Sequence, residues 1–199
     1  MSSRKPKAPR RPRRAGPQPG GEEDRLTVEE LAQTYPRGAL AALSTLRLAG
    51  GLPDWAPAVI DGLHGQIPDL LDALFLDGGD SVVIGDLALF GPQIEGPLLD
   101  RLAGADPRDL DLAASLAQLA GQAGLRAGAL RDHLRTATID AEDGLRAEIL
   151  SWTKDPALAP DLLELAQRAA LGEDDGTLGP GLAREALLYL GHPIPAWLA

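Results

Sequence analysis

The chain contains no cysteine. Disulfides, thiolate nucleophiles and cysteine-ligated zinc are thereby excluded, and nothing in the composition calls for an oxidising compartment. Aromatic residues are scarce, 4% of the chain, so a core must come mainly from the leucines and alanines within its 44% hydrophobic fraction. Both are strong helix formers and neither favours strands. No apolar run approaches the ~18 residues of a membrane span. The basic N-terminus is not followed by the apolar stretch of a secretory signal. The expectation is an all-α, cytoplasmic protein with no membrane contact.

What is present is divided by charge. Residues 1–21 hold Arg4, Lys5, Lys7, Arg10, Arg11, Arg13 and Arg14 and no acid. With those seven cations set aside, the net charge of −10 becomes −17 for the rest of the chain. In "SRKPKAPRRPRRAGPQPGG" prolines alternate with cations and there is little to bury, so residues 1–24 read as a disordered tail. Its seven cations are the candidate polyanion-binding residues, suited to salt-dependent contact with phosphates. The alternatives are a solubilising or autoinhibitory arm that folds back on the acidic body and an organellar transit peptide, the last disfavoured because the prolines forbid an amphipathic helix.

Residues 25–199 carry a loose repeat. In "GPQIEGPLLDRL", Gly91 is followed six residues on by Pro97; Gly51 has Pro57 at the same offset, and Pro160 follows Lys154. The copy at Gly121 has Ala127 where the proline would stand, and the one at Gly191 is cut short. Apolar sets follow: Val59, Ile60 and Leu63; Leu98, Leu99 and Leu102; Ala129, Leu130 and Leu134; Leu162, Leu163 and Ala166. Counting back four positions from Gly50, Gly91, Gly121, Lys154 and Gly191 gives Leu46, Leu87, Ala117, Leu150 and Leu187. Two positions back stand Leu48, Leu89, Leu119, Trp152 and Tyr189. Each unit is expected to be one helix stopped by a glycine, a short turn, and a second helix opened by proline. Intervals of 41, 30, 33 and 37 residues fit stacked helical pairs, about five of them with the last truncated. Between them "HGQIPDLLDALFLDGGD" inserts an extra helix over Pro68–Leu76.

The segments "LAGADPRDLDLAASLAQLAG" and "LAREALLYLG" resemble HEAT repeats, helical pairs also found in bacterial HEAT-like proteins. The resemblance rests on Asp106-Pro107 before a helix, an Ala-Leu run ending in glycine, and a proline opening the next helix. It implies a short right-handed α-solenoid. The basic residues that many HEAT repeats stack in their second helix are mostly absent, apart from Arg101 and Arg131.

Catalytic groupings are not evident. There is no phosphate-cradling Gly-Lys-Ser/Thr loop and no serine in a Gly-x-Ser-x-Gly setting. His64, His133 and His192 lie too far apart for a helical zinc motif. The acids Glu173, Asp174 and Asp175 lack the alternating ligands of a calcium loop. Asp106, Asp109 and Asp111 suit the start of a helix, where negative charge complements the macrodipole. HEAT-like DNA glycosylases use aromatic and acidic residues on a concave face, but a body with 12 cations against 29 acids fits nucleic acid poorly, and Trp55, Trp152 and Trp197 read as packing residues. The expected function is a non-enzymatic protein–protein interaction scaffold, without metal or cofactor, whose acidic surface takes a basic protein partner. The alternative is a nucleic-acid-associated protein that touches phosphates through the tail. Trp197 and Leu198 at the C-terminal end either cap the array or dock a second copy as a homodimer.

Overall fold

The computed structural model describes residues 21–198, and within them the chain forms eleven α-helices and no strand. The seven tail cations from Arg4 to Arg14 lie outside the described residues. Helix α1 (Glu22–Thr34) begins inside the span assigned to the tail, with Glu22, Glu23 and Asp24 in its first turn, where carboxylates favour a helix start. Next come α2 (Pro36–Gly50), α3 (Ala56–Gly62), α4 (Ile67–Asp77), α5 (Ser81–Ala88) and α6 (Glu95–Leu102). The chain continues through α7 (Leu110–Ala123), α8 (Gly128–Ala137), α9 (Asp143–Trp152), α10 (Ala159–Leu171) and α11 (Pro180–Tyr189).

The punctuation is chemical. Proline occupies the first or second position of α2, α3, α4, α10 and α11, where a missing N–H leaves no hydrogen bond unmade. Asp80 caps α5 by accepting from the Val82 and Val83 amides at 3.0 and 2.9 Å. Asp109 caps α7 through the Leu112 amide at 2.9 Å. Short 3₁₀ turns at His64–Gln66, Gly91–Ile94 and Pro156–Leu158 lead directly into α4, α6 and α10.

Gly51, Gly91 and Gly191 have positive φ, as helix-ending glycines should. Gly121 does not end a helix. It lies inside α7, and the left-handed residue that stops α7 is Gly124, φ 74°. The run "GQAG" offers two glycines, and the later one satisfies the cap because α7 needs its last turn to bury Ala123. Lys154 holds φ 51°, the one described non-glycine residue with positive φ, at the position where the repeat would have placed a glycine. A side chain in that region costs about 1 kcal/mol. Replacing Lys154→Gly is therefore expected to raise the thermal midpoint while Lys154→Ala leaves it unchanged, a comparison read by calorimetry.

Leucine and alanine build the core. In one row α2 packs on α5, α5 on α7, α7 on α9 and α9 on α11. In a second row α4 packs on α6 and α6 on α8, while α10 lies against both α9 and α11. Leu87, Ala117, Leu150 and Leu187, four of the aligned column, are buried in the first row, and Leu46 is half-buried. The column two positions back is mixed: Leu89 and Leu119 are buried, Trp152 partly so, and Leu48 and Tyr189 face solvent. The expected extra helix is α4. It packs against α5 and α6, whereas the shorter α3 packs against α1.

Candidate functional site

Six of the twelve cations that follow residue 21 are spent on ion pairs within the body. Arg101 of α6 pairs with Asp72 of α4. Arg135 of α8 grips both carboxylate oxygens of Asp161 in α10, at 2.9–3.2 Å. Arg131 reaches Asp155 at 3.0 Å, and Arg168 reaches Asp143 at 3.2 Å. The two arginines singled out in the repeat, Arg101 and Arg131, thus tie neighbouring segments together. The acidic clusters have structural work as well. Asp175 accepts from the Thr177 hydroxyl at 2.5 Å and from the Thr177 and Asp143 amides, both at 2.9 Å, and these bonds, the hydroxyl's first, hold its carboxyl below the usual value. Among the described residues no group of three or more His, Asp or Glu is placed to hold a metal.

The charge that remains is unevenly spread. Between Arg47 and Arg101 there are nine carboxylates and neither lysine nor arginine. This stretch includes α3, α4 and α5. At the edge of it a groove of about 410 Å³ opens between α2 and α5, and Arg47 and Gln122 share its lining. Ala41, Ser44 and Leu48 form one wall, Val82 and Gly85 the other, with Asp86 between them. Leu48 and Val82 stand at the rim, 84% and 58% exposed. A Cβ on Gly85 would lie 3.8 Å from the Ser44 hydroxyl, an ordinary contact distance.

Asp86 is only 3% exposed. Its carboxylate accepts a 2.9 Å hydrogen bond from the Ser44 hydroxyl. Burial raises its pKa above the ordinary 3.8, against the lowering influence of Ser44, Arg37 and Arg47. Arg47 itself donates to the Gln122 side chain of α7 at 2.7 Å rather than to Asp86. Keeping a carboxylate here therefore works against the fold. Below the unfolded-state value the group is protonated in both states and contributes nothing. Above the folded-state value, ionising it in the groove is a full penalty. Asp86→Asn keeps the shape and an acceptor for Ser44, so this variant should melt higher than the native protein at pH 7. The difference should fade as pH falls toward 3.8.

Asp86 was not among the sequence candidates. Its signal was a single acid inside the apolar run "SVVIGDLALF", where the helical period sets it on the buried face beside Leu87. The histidines do not converge. His64 bonds the Asp61 carbonyl and the Gln93 side chain and lies 5.5 Å from the Phe90 ring, and His192 bonds the Pro193 carbonyl at 2.8 Å. His133, 8% exposed, lines a smaller cavity between α6 and α8 with an unpartnered Nε2, and burial lowers its pKa. Trp55 and Trp152 pack against the core. At the C-terminal end Leu198 is buried beside Ala166, Ala169 and Ala183, while Trp197 remains 49% exposed. Compared with protein-family models, with curated proteins and with solved structures, the chain matches none of them.

Proposed function

We propose that the body is a short right-handed α-solenoid of HEAT-like pairs serving as a protein–protein interaction scaffold, and that its α2–α5 groove takes a basic, partly apolar segment of a partner protein. The solenoid reading is supported by the row α2–α5–α7–α9–α11 and by the recurring 3₁₀ turn ahead of second-row helices. The binding reading is carried by one observation: a carboxylate that burial disfavours sits beneath two exposed apolar side chains, while Arg47, the cation that shares the groove, is bonded to Gln122 instead. A partner's lysine or arginine would give Asp86 a direct ion pair, which Arg47, turned to Gln122, does not make, while Leu48 and Val82 would cover the apolar part of the segment. Strained or destabilised groups of this kind concentrate where function requires them.

The test is anisotropy of a labelled peptide alternating arginine with leucine, titrated with the full chain and with Asp86→Asn. Loss of the buried charge partner should weaken binding at least about tenfold, even though the variant is the more stable fold. Equal affinity for both proteins would remove the groove from consideration. The tail supports a second reading, nucleic-acid association, because its seven cations have no acid among them. A salt-sensitive duplex-DNA titration that disappears when those cations become glutamine would favour that reading.

A further inference from the structure

The segment closest to hand for such a groove belongs to the chain itself. Helix α1 is joined to α2 by the single residue Tyr35, packs back along it, and also touches α3, which follows the far end of α2. The start of α1, and Gly21 with it, therefore lies toward the C-terminal end of α2. That end carries Leu48, on the groove's rim. From Gly51 back to Ser44, the partner of Asp86, the distance along α2 is about 10 Å. Arg14 is seven residues before Gly21, which allows a reach of about 23 Å when extended.

Residues 1–20 match the groove in chemistry as well as in reach. Their seven cations have no acid among them, and the groove holds the buried Asp86 beside Arg47, whose guanidinium is bonded to Gln122. Between the cations stand Pro6, Ala8, Pro9 and Pro12, compact apolar groups of a size that walls made of Ala41, Ser44 and Gly85 can admit. Tethering replaces a bimolecular encounter with a local concentration in the millimolar range, so even a weak contact is filled.

We propose that the α2–α5 groove is the docking site of the chain's own residues 1–20, with a cation of that arm beside Asp86, so that arm and external partner compete for one place. This rests on the reading that the groove accepts a basic segment. It adds a consequence: the scaffold is self-occluded until a stronger basic ligand, or a polyanion that draws the arm away, releases it.

The absence of cysteine permits a clean experiment on the full chain. Ala8→Cys carries a nitroxide, and the methyl signals of Leu48, Val82 and the distant Leu188 are followed by NMR at low salt. Docking in cis predicts loss of the Leu48 and Val82 signals with Leu188 unaffected. The signals should return in Asp86→Asn and when the seven arm cations are replaced by glutamine. No loss, a loss that includes Leu188 equally, or a loss untouched by either change overturns the proposal. So does a loss confined to mixtures in which the nitroxide and the labelled methyls are on different copies. In parallel, a synthetic peptide of residues 2–20 is titrated into the chain with the neutralised arm. Asp86-dependent binding of the peptide without signal loss in cis overturns self-docking and leaves the groove as a partner site. Failure of both overturns both.

Discussion

Gly121→Ala should lower the stability of this protein by about 3 kcal/mol, a fall of roughly 6–12 °C in the thermal midpoint for a body of this size. The expectation runs against helix propensity. Gly121 is interior to α7, and exchanging an interior helical glycine for alanine normally gains nearly 1 kcal/mol. Packing reverses the sign. A Cβ at this position would overlap the Trp152 carbonyl oxygen and lie 3.1 Å from the carbonyl carbon. Both are backbone atoms at the end of α9, so no rotamer change relieves the clash. Either α7 and α9 separate, exposing Leu119 and Leu150, or the last turn of α9 unwinds. Gly128→Ala is the matched control, because the only atom within 4 Å of its Cβ is the end of the Arg131 side chain at 3.8 Å. Calorimetry that finds Gly121→Ala neutral or stabilising would show that α7 and α9 do not approach so closely.

The second large effect is expected at Asp155. This carboxylate is buried and does three things at once. One oxygen accepts from the Ala157 amide at 3.0 Å, opening the turn into α10. The other takes the Arg131 guanidinium at 3.0 Å, and Arg126 stands 4.0 Å away. Asp155→Ala removes an anion from beneath two cations and uncaps a turn. Breaking a buried pair from one side costs about 3–5 kcal/mol. The lower end applies, because both arginines keep part of their surface in water and can recover hydration. Asp155→Asn retains the oxygen for Ala157 and forfeits only the charge, so it should lose about half as much. Urea unfolding of the two variants separates the contributions. Equal losses would mean that the cap alone matters; no loss in either would mean that the arginines are held by their other partners.

These two sites show which parts of the structure can be read from sequence. The helical class followed from leucine and alanine, and the positive-φ positions Gly51, Gly91, Lys154 and Gly191 fall where spacing put the helix ends, one of them at a lysine. Local signals of this kind survive because caps and turns act within a few residues. Gly121 failed for the complementary reason. Two glycines three apart are equivalent locally, and only the passage of α9, some thirty residues later, assigns one to the cap and the other to the crossing. The arginines were half legible. Arg101 and Arg131 were singled out by the resemblance to HEAT repeats, but their partners Asp72 and Asp155 are set by tertiary approach. Asp86 was legible in principle as a lone acid in an apolar run, yet its meaning depends on Ser44, 42 residues away. The tail's charge is plain from composition, and what it contacts is not a sequence property at all.

Arg126 carries one further consequence. Its guanidinium donates to the carbonyl oxygens of Leu125, Thr153 and Lys154 at 2.7–3.0 Å, so its hydrogen bonds go to main chain, beside the longer ion pair with Asp155. Every amino acid presents the same carbonyl. The acceptor positions are therefore free to drift in identity while the arginine is not, and the joint between α8 and α9–α10 would persist through substitutions at every position it grips. A family descended from such a chain could keep its shape long after its sequences had ceased to resemble one another.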